Sequence, residues 1–184
     1  MFILNEDTIK TYLVTIPAVV KQLGTSDSSQ IDVDEVGDGN LNFVYILRGP
    51  SGTVVAKQAL PYIRVVGESW PLTLDRATFE HNALVKQHEL CPDMVPQIFH
   101  FESRKALIVM QFVPPPNLIL RKIFMAGQIL PRMAKDVGEF VAKTLFGTSA
   151  LALEGGALRS AISAWSKNTA LCALTEQVVF TDPY

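Results

Sequence analysis

The chain has 184 residues, of which 48% are hydrophobic and 18% charged, with a net charge of −2. This is the composition of a globular protein with a core and not of a disordered chain. No broad basic field exists to hold nucleic acid or an anionic membrane, and no apolar run approaches the ~18 residues of a membrane span. Cys91 and Cys172 are the only cysteines. They read as reduced thiols of a cytoplasmic protein and not as a disulfide framework.

Ile9, Tyr12, Leu13 and Ile16 recur at helical spacing after the polar stretch Asn5–Asp7, which can cap a helix. Pro17 ends that helix or opens a short second one to Gly24. Residues 31–36, 43–47 and 53–59 read as strands. Gly37-Asp38-Gly39-Asn40 joins the first two and Arg48-Gly49-Pro50-Ser51-Gly52 the last two, giving an antiparallel meander. Residues 61–72 read as irregular. Thr73 caps a predicted helix to about Leu90, with Leu74, Ala77, Leu84 and Val85 on one face. Residues 97–102 and 106–113 form two more predicted strands around Ser103-Arg104-Lys105. Pro114-Pro115-Pro116-Asn117 then marks a boundary. Beyond it, Met133, Val137, Val141, Thr144 and Leu145 trace a helical stripe, and residues 157–166 read as a further helix. The final stretch, residues 175–184, is apolar and aromatic, which leads us to expect packing against a missing part of the domain.

A glycine turn over a sheet brings backbone N–H groups close to phosphates because no Cβ intervenes. Most such turns are plain hairpin turns without a ligand. Gly37-Asp38-Gly39-Asn40 is not a dinucleotide fingerprint, since a strand follows it, and no Gly-Lys-Ser/Thr makes it a Walker loop. Lys57 follows three apolar residues on the third strand. Taken alone, it is a strand-end lysine reaching solvent. With the glycine turn before it, the pattern is that of kinase-like folds, where such a lysine meets the nucleotide phosphates and a helix carboxylate. Glu80 is that carboxylate, three residues after Ala77 and four before Leu84. It also reads as an exposed helix glutamate. Gln111, Phe112 and Val113 occupy the position of the adenine-bonding hinge. His81, His88 and His100 lack complementary ligands and form no metal set.

Val36-Gly37-Asp38-Gly39-Asn40-Leu41-Asn42-Phe43-Val44, Lys57-Gln58-Ala59-Leu60-Pro61-Tyr62 and Gly67-Glu68-Ser69-Trp70-Pro71-Leu72-Thr73 resemble the amino-terminal lobe of methylthioribose kinases. Asp75-Arg76-Ala77 leading to Glu80, residues 141–146 and residues 174–184 continue the likeness along nearly the whole chain. The resemblance implies an α+β fold. Residues 1–113 would be a protein-kinase-like nucleotide-binding lobe, a five-stranded antiparallel sheet plus one helix. Residues 114–184 would be a linker and the first helices of an incomplete second lobe. It also implies cytoplasmic methionine salvage, with the ATP γ-phosphate moved to the 1-hydroxyl of S-methyl-5-thioribose using Mg²⁺. ATP would contact Gly37, Asp38, Gly39, Asn40, Lys57 and Glu80, the adenine would meet residues 111–113, and Trp70 would lie on a loop near the substrate. The likeness allows a homodimer and calls for neither nucleic acid nor a membrane. Family members are much longer and carry a His-Gly-Asp-Leu-His catalytic segment and a metal-binding Asp-Pro-Glu; neither string occurs here. The expectation is therefore a fragment with no catalytic residue of its own, its metal ligands lying in the missing lobe. The alternatives are a non-catalytic ATP-binding module or an inactive remnant.

Overall fold

The structure is a computed structural model and describes residues 3–37, 39, 41–64 and 66–183. It opens with α1 (Glu6–Leu13), whose N-terminus is closed by a reciprocal cap between Asn5 and Thr8. The predicted helix ends three residues early, because Ile16 is already the cap of α2 (Pro17–Leu23), with Pro17 at its first position. Gly24 ends α2 at φ +79°. A Cβ there would also collide with Ser51 of the next hairpin turn, so this position requires glycine twice over.

Five antiparallel strands follow the order β1-β2-β3-β7-β6: β1 (Asp32–Glu35), β2 (Asn42–Arg48), β3 (Thr53–Ala59), β6 (Ile98–Glu102) and β7 (Leu107–Gln111). The predicted five-stranded α+β architecture is the observed one. Strand β7 stops at Gln111 and not at Val113. Gln111 pairs with Val54 near the start of β3, and its N–H reaches Gln97 just before β6, so residues beyond it have no strand to join. Residues 61–72, expected to be irregular, hold a small hairpin of β4 (Tyr62–Ile63) and β5 (Gly67–Pro71). Among the described residues two pairs join these strands, and the register shifts between them. So short a ladder leaves no alternating pattern to read.

Strand β3 distributes its side chains to two sides. Val54 and Ala56 enter the main core with Ile9, Leu13, Val19 and Leu23 of α1 and α2. Gln58 shares their side; it is fully buried, accepts from the Leu4 N–H at 2.9 Å and donates to the Lys105 carbonyl at 3.0 Å. Ala59 packs with Ala77 of α3 (Asp75–Leu90) and Ala106 on the other side. The Thr73 hydroxyl does accept from the Asp75 N–H, but Leu74 is the capping residue. The predicted inward face of α3 holds at Leu74 and Ala77, which pack inward, and fails at Val85, which is exposed, while Arg76 is buried beside Ala77. After Gln111 come α4 (Leu120–Met125), α5 (Met133–Gly147), α6 (Gly155–Trp165), α7 (Thr169–Glu176) and a π-helical turn at Gln177–Thr181.

Candidate functional site

Lys57 lies in the middle of the sheet, opposite Val44 on β2 and Ile108 on β7. One-in-two alternation sends it to the α3 side, away from the main core. Its Nζ lies 2.5 Å from Glu80 Oε1, and both side chains remain about one-third exposed. The pair is therefore half-solvated, with the ammonium held and still reachable. It borders a cleft of about 400 Å³ lined by Asn42, Lys57, Arg76, Phe79, Glu80 and Trp165, among others.

Arg76 was not singled out by its residue type or spacing. It is 6% exposed and donates to Asn42 Oδ1, to the Leu41 carbonyl and to the Leu60 carbonyl at 2.6–2.7 Å. Burial pulls its guanidinium below the ordinary range, and Glu80 one turn on pushes the other way. An inward-facing position next to Ala77 was the one available signal. Trp165 reaches the cleft from the end of α6, its ring 6.2 Å from that of Phe79 at a tilt of 39°. No local pattern joins residues so far apart in sequence.

The remaining predicted positions are dispersed. At Gly39 a Cβ would stand a tight 3.0 Å from the Asn42 carbonyl oxygen, whereas Gly37 faces open space. Asp38 and Asn40 lie outside the described residues. Gln111 and Val113 line a second cleft of about 640 Å³ with Asp93, Asp136 and Phe140, which shares no lining residue with the first. Phe112 is half-buried beside them. Gln111 stands opposite Val54, three residues from Lys57, or about 10 Å along the strand. Trp70 is half-buried on β5, a strand and not a loop, and does not line the Lys57 cleft.

The histidines are spread apart. His81 stacks on Phe101 at 4.2 Å, and His88 Nδ1 lies 2.9 Å from the Val95 carbonyl oxygen. His100 Nε2 is buried with no hydrogen-bond partner. Cys91 is buried and Cys172 exposed, both as free thiols. No helix among the described residues is long and apolar enough to cross a membrane.

Comparison with known proteins supplies a family. The chain is 47% identical over 181 residues to methylthioribose kinase 1 of Oryza sativa subsp. japonica, covering 98% of this chain and 42% of the rice protein. Over the part spanned, the chain matches the methylthioribose kinases. Methylthioribose kinase of Bacillus pumilus is 42% identical over 161 residues, covering 86% of this chain and 40% of its own length. That of Escherichia coli O45:K1 is 40% identical over 153 residues, covering 83% and 36%. The chain thus spans about two-fifths of the length of these methylthioribose kinases. No protein-family model matches it.

Proposed function

We propose that this chain supplies the nucleotide-binding part of an ATP-dependent S-methyl-5-thioribose kinase, forming S-methyl-5-thioribose 1-phosphate in methionine salvage. The observation that carries this reading is the Lys57–Glu80 pair at 2.5 Å beside an open cleft, in a chain whose relatives are named methylthioribose kinases. A fixed ammonium neutralises phosphate charge without reorganising when the ligand arrives. Residues 1–113 form the nucleotide lobe in this proposal, and residues 114–184 begin the second lobe. Lys57 faces the phosphates, and Glu80 holds the lysine. The glycine turn at residues 37–40 covers the phosphates, and residues 111–113 meet the adenine edge by backbone groups. Trp70 stands toward the sugar.

The cleft's cation and the side-chain-free Gly39 fit a triphosphate. Mg²⁺ is a different matter. Among the described residues no group of three or more His, Cys, Asp or Glu could hold a metal ion, and no step is routed through one. The second reading is a module that holds ATP without transferring the phosphoryl group. Isothermal titration with ATP tests what both readings share: Lys57→Ala should weaken binding at least tenfold, which is about 1.4 kcal/mol. Unchanged affinity removes Lys57 from the site. Formation of methylthioribose 1-phosphate separates the two. We expect none with this chain alone and turnover on mixing with the remaining portion of a relative; turnover by neither favours the module.

A further inference from the structure

We propose that Arg76 is a positioning residue for the nucleotide cleft, clamping the exit of the glycine turn to the helix that holds the Lys57–Glu80 pair. The inference rests on the nucleotide reading above and adds a residue that acts through others.

Three chain segments meet at its guanidinium. Leu41 and Asn42 leave the glycine turn and enter β2, and Leu60 leaves β3 three residues after Lys57. Nη1 donates to Asn42 Oδ1 at 2.6 Å; Nη2 donates to the Leu41 carbonyl at 2.6 Å and the Leu60 carbonyl at 2.7 Å. The Leu60 N–H also donates to the Leu41 carbonyl at 3.3 Å, so the two strand ends are joined to each other as well as to the arginine. Three acceptors around one side chain suit the planar fork of Arg, with its five fixed donors, and not the single ammonium of Lys. Arg76 and Glu80 are four residues apart on α3 and lie on one face. One turn of helix therefore fixes the Leu41–Asn42 start of β2 through Arg76 and the phosphate-facing ammonium through Glu80. The guanidinium is buried, and losing it takes away the donor to the buried Leu60 carbonyl and leaves the Leu41 carbonyl with the Leu60 N–H alone.

The test uses the full chain with Arg76→Met, Arg76→Lys and Asn42→Ala, read by two measurements. In the ATP-free protein, hydrogen exchange at the Asn42 and Leu60 amides should accelerate at least tenfold in Arg76→Met. It should accelerate about threefold in Asn42→Ala, which removes one acceptor and keeps the arginine, and exchange in β7 should stay unchanged. ATP titration should show at least tenfold weaker binding in Arg76→Met and an intermediate loss in Arg76→Lys. The double variant Arg76→Met/Lys57→Ala should bind no more than twofold more weakly than Lys57→Ala, because the two act through one cleft. Exchange within twofold of the parent at Asn42 and Leu60 overturns the clamp, whatever ATP does. Faster exchange with unchanged ATP affinity, or fully additive losses, overturns the positioning role. Absence of ATP binding by the parent chain overturns the nucleotide reading instead, and the exchange measurement still decides the clamp. Should Arg76→Met not fold, Asn42→Ala decides by the same exchange criterion.

Discussion

Leu47 on β2 and Leu145 on α5 are the same side chain in opposite circumstances, 0% and 66% exposed. The contrast extends to their surroundings. Between Leu4 and Val109, leucines, isoleucines and valines fill a core shared by α1, α2 and the sheet. No residue of α4 to α7 is buried, and Ile129, Leu151 and Phe180 stand 70–89% exposed. Both regions carry apolar periodicity, but only in the first does a second surface enclose it, whereas α5 and α6 lean on α3 and stay largely open. A helix stripe specifies which side will be buried and leaves open what buries it. In the later region local interactions sustain the helices, such as the Lys143–Glu139 pair at 2.6 Å one turn apart.

The sharpest way to break this contrast is truncation on each side of it. Leu47→Ala should cost roughly 2–5 kcal/mol in urea unfolding, as a cavity in a closed core does. Leu145→Ala should stay within about 0.5 kcal/mol, as surface changes do. Equal losses would mean that the later helices have a core of their own in solution. A smaller effect is expected from Gln58→Leu. It removes the partner of the Leu4 N–H and of the Lys105 carbonyl, leaves both short of a bond and should cost about 1–3 kcal/mol. No loss in that variant would show that the segment before α1 does not depend on the sheet.

The exposed face should also make the chain associate, since large apolar patches do so. Ile129→Lys with Phe180→Lys should lower concentration-dependent light scattering while moving the unfolding free energy by no more than about 0.5 kcal/mol. Unchanged scattering would place the sticky surface elsewhere.

The two regions also differed in how far they could be read from sequence. Residues 53–59 were legible as a strand to the residue, because Gly-Pro-Ser-Gly punctuates their start and apolar residues fill them. The approach of Lys57 to Glu80 was legible from two periodicities, two along the strand and 3.6 along the helix. Arg76 was not, since a guanidinium in a first helical turn normally points to water and nothing local announces its three carbonyl and amide partners. The β4–β5 hairpin was too short to leave a pattern. The α6 end beside the cleft at Trp165 depends on long-range packing, about which a one-dimensional pattern is silent. For the later helices the stripe on α5 was legible, and so was its lack of cover: Val137, Val141 and Leu145 are exposed.

The smallest effect sharpens the account of the well-packed region from within. His100 on β6 has a buried Nε2 without a partner, and the Tyr12 ring lies 6.5 Å away, edge-on. Burial pushes its pKa below the ordinary imidazole value, and the nearby Glu102 carboxylate only partly opposes this. The folded protein therefore prefers the neutral ring, while the unfolded chain takes up a proton at the ordinary value near 6.5. Between those two pKa values the unfolded state binds more protons, so stability rises with pH there and falls as pH drops from about 6.5 toward the lower folded value. Urea midpoints measured from pH 7.5 to 5 should decline for the parent chain and decline less for His100→Gln, which keeps a polar side chain and cannot titrate. Identical slopes in the two proteins would show that other groups, and not His100, set the acid sensitivity of the sheet.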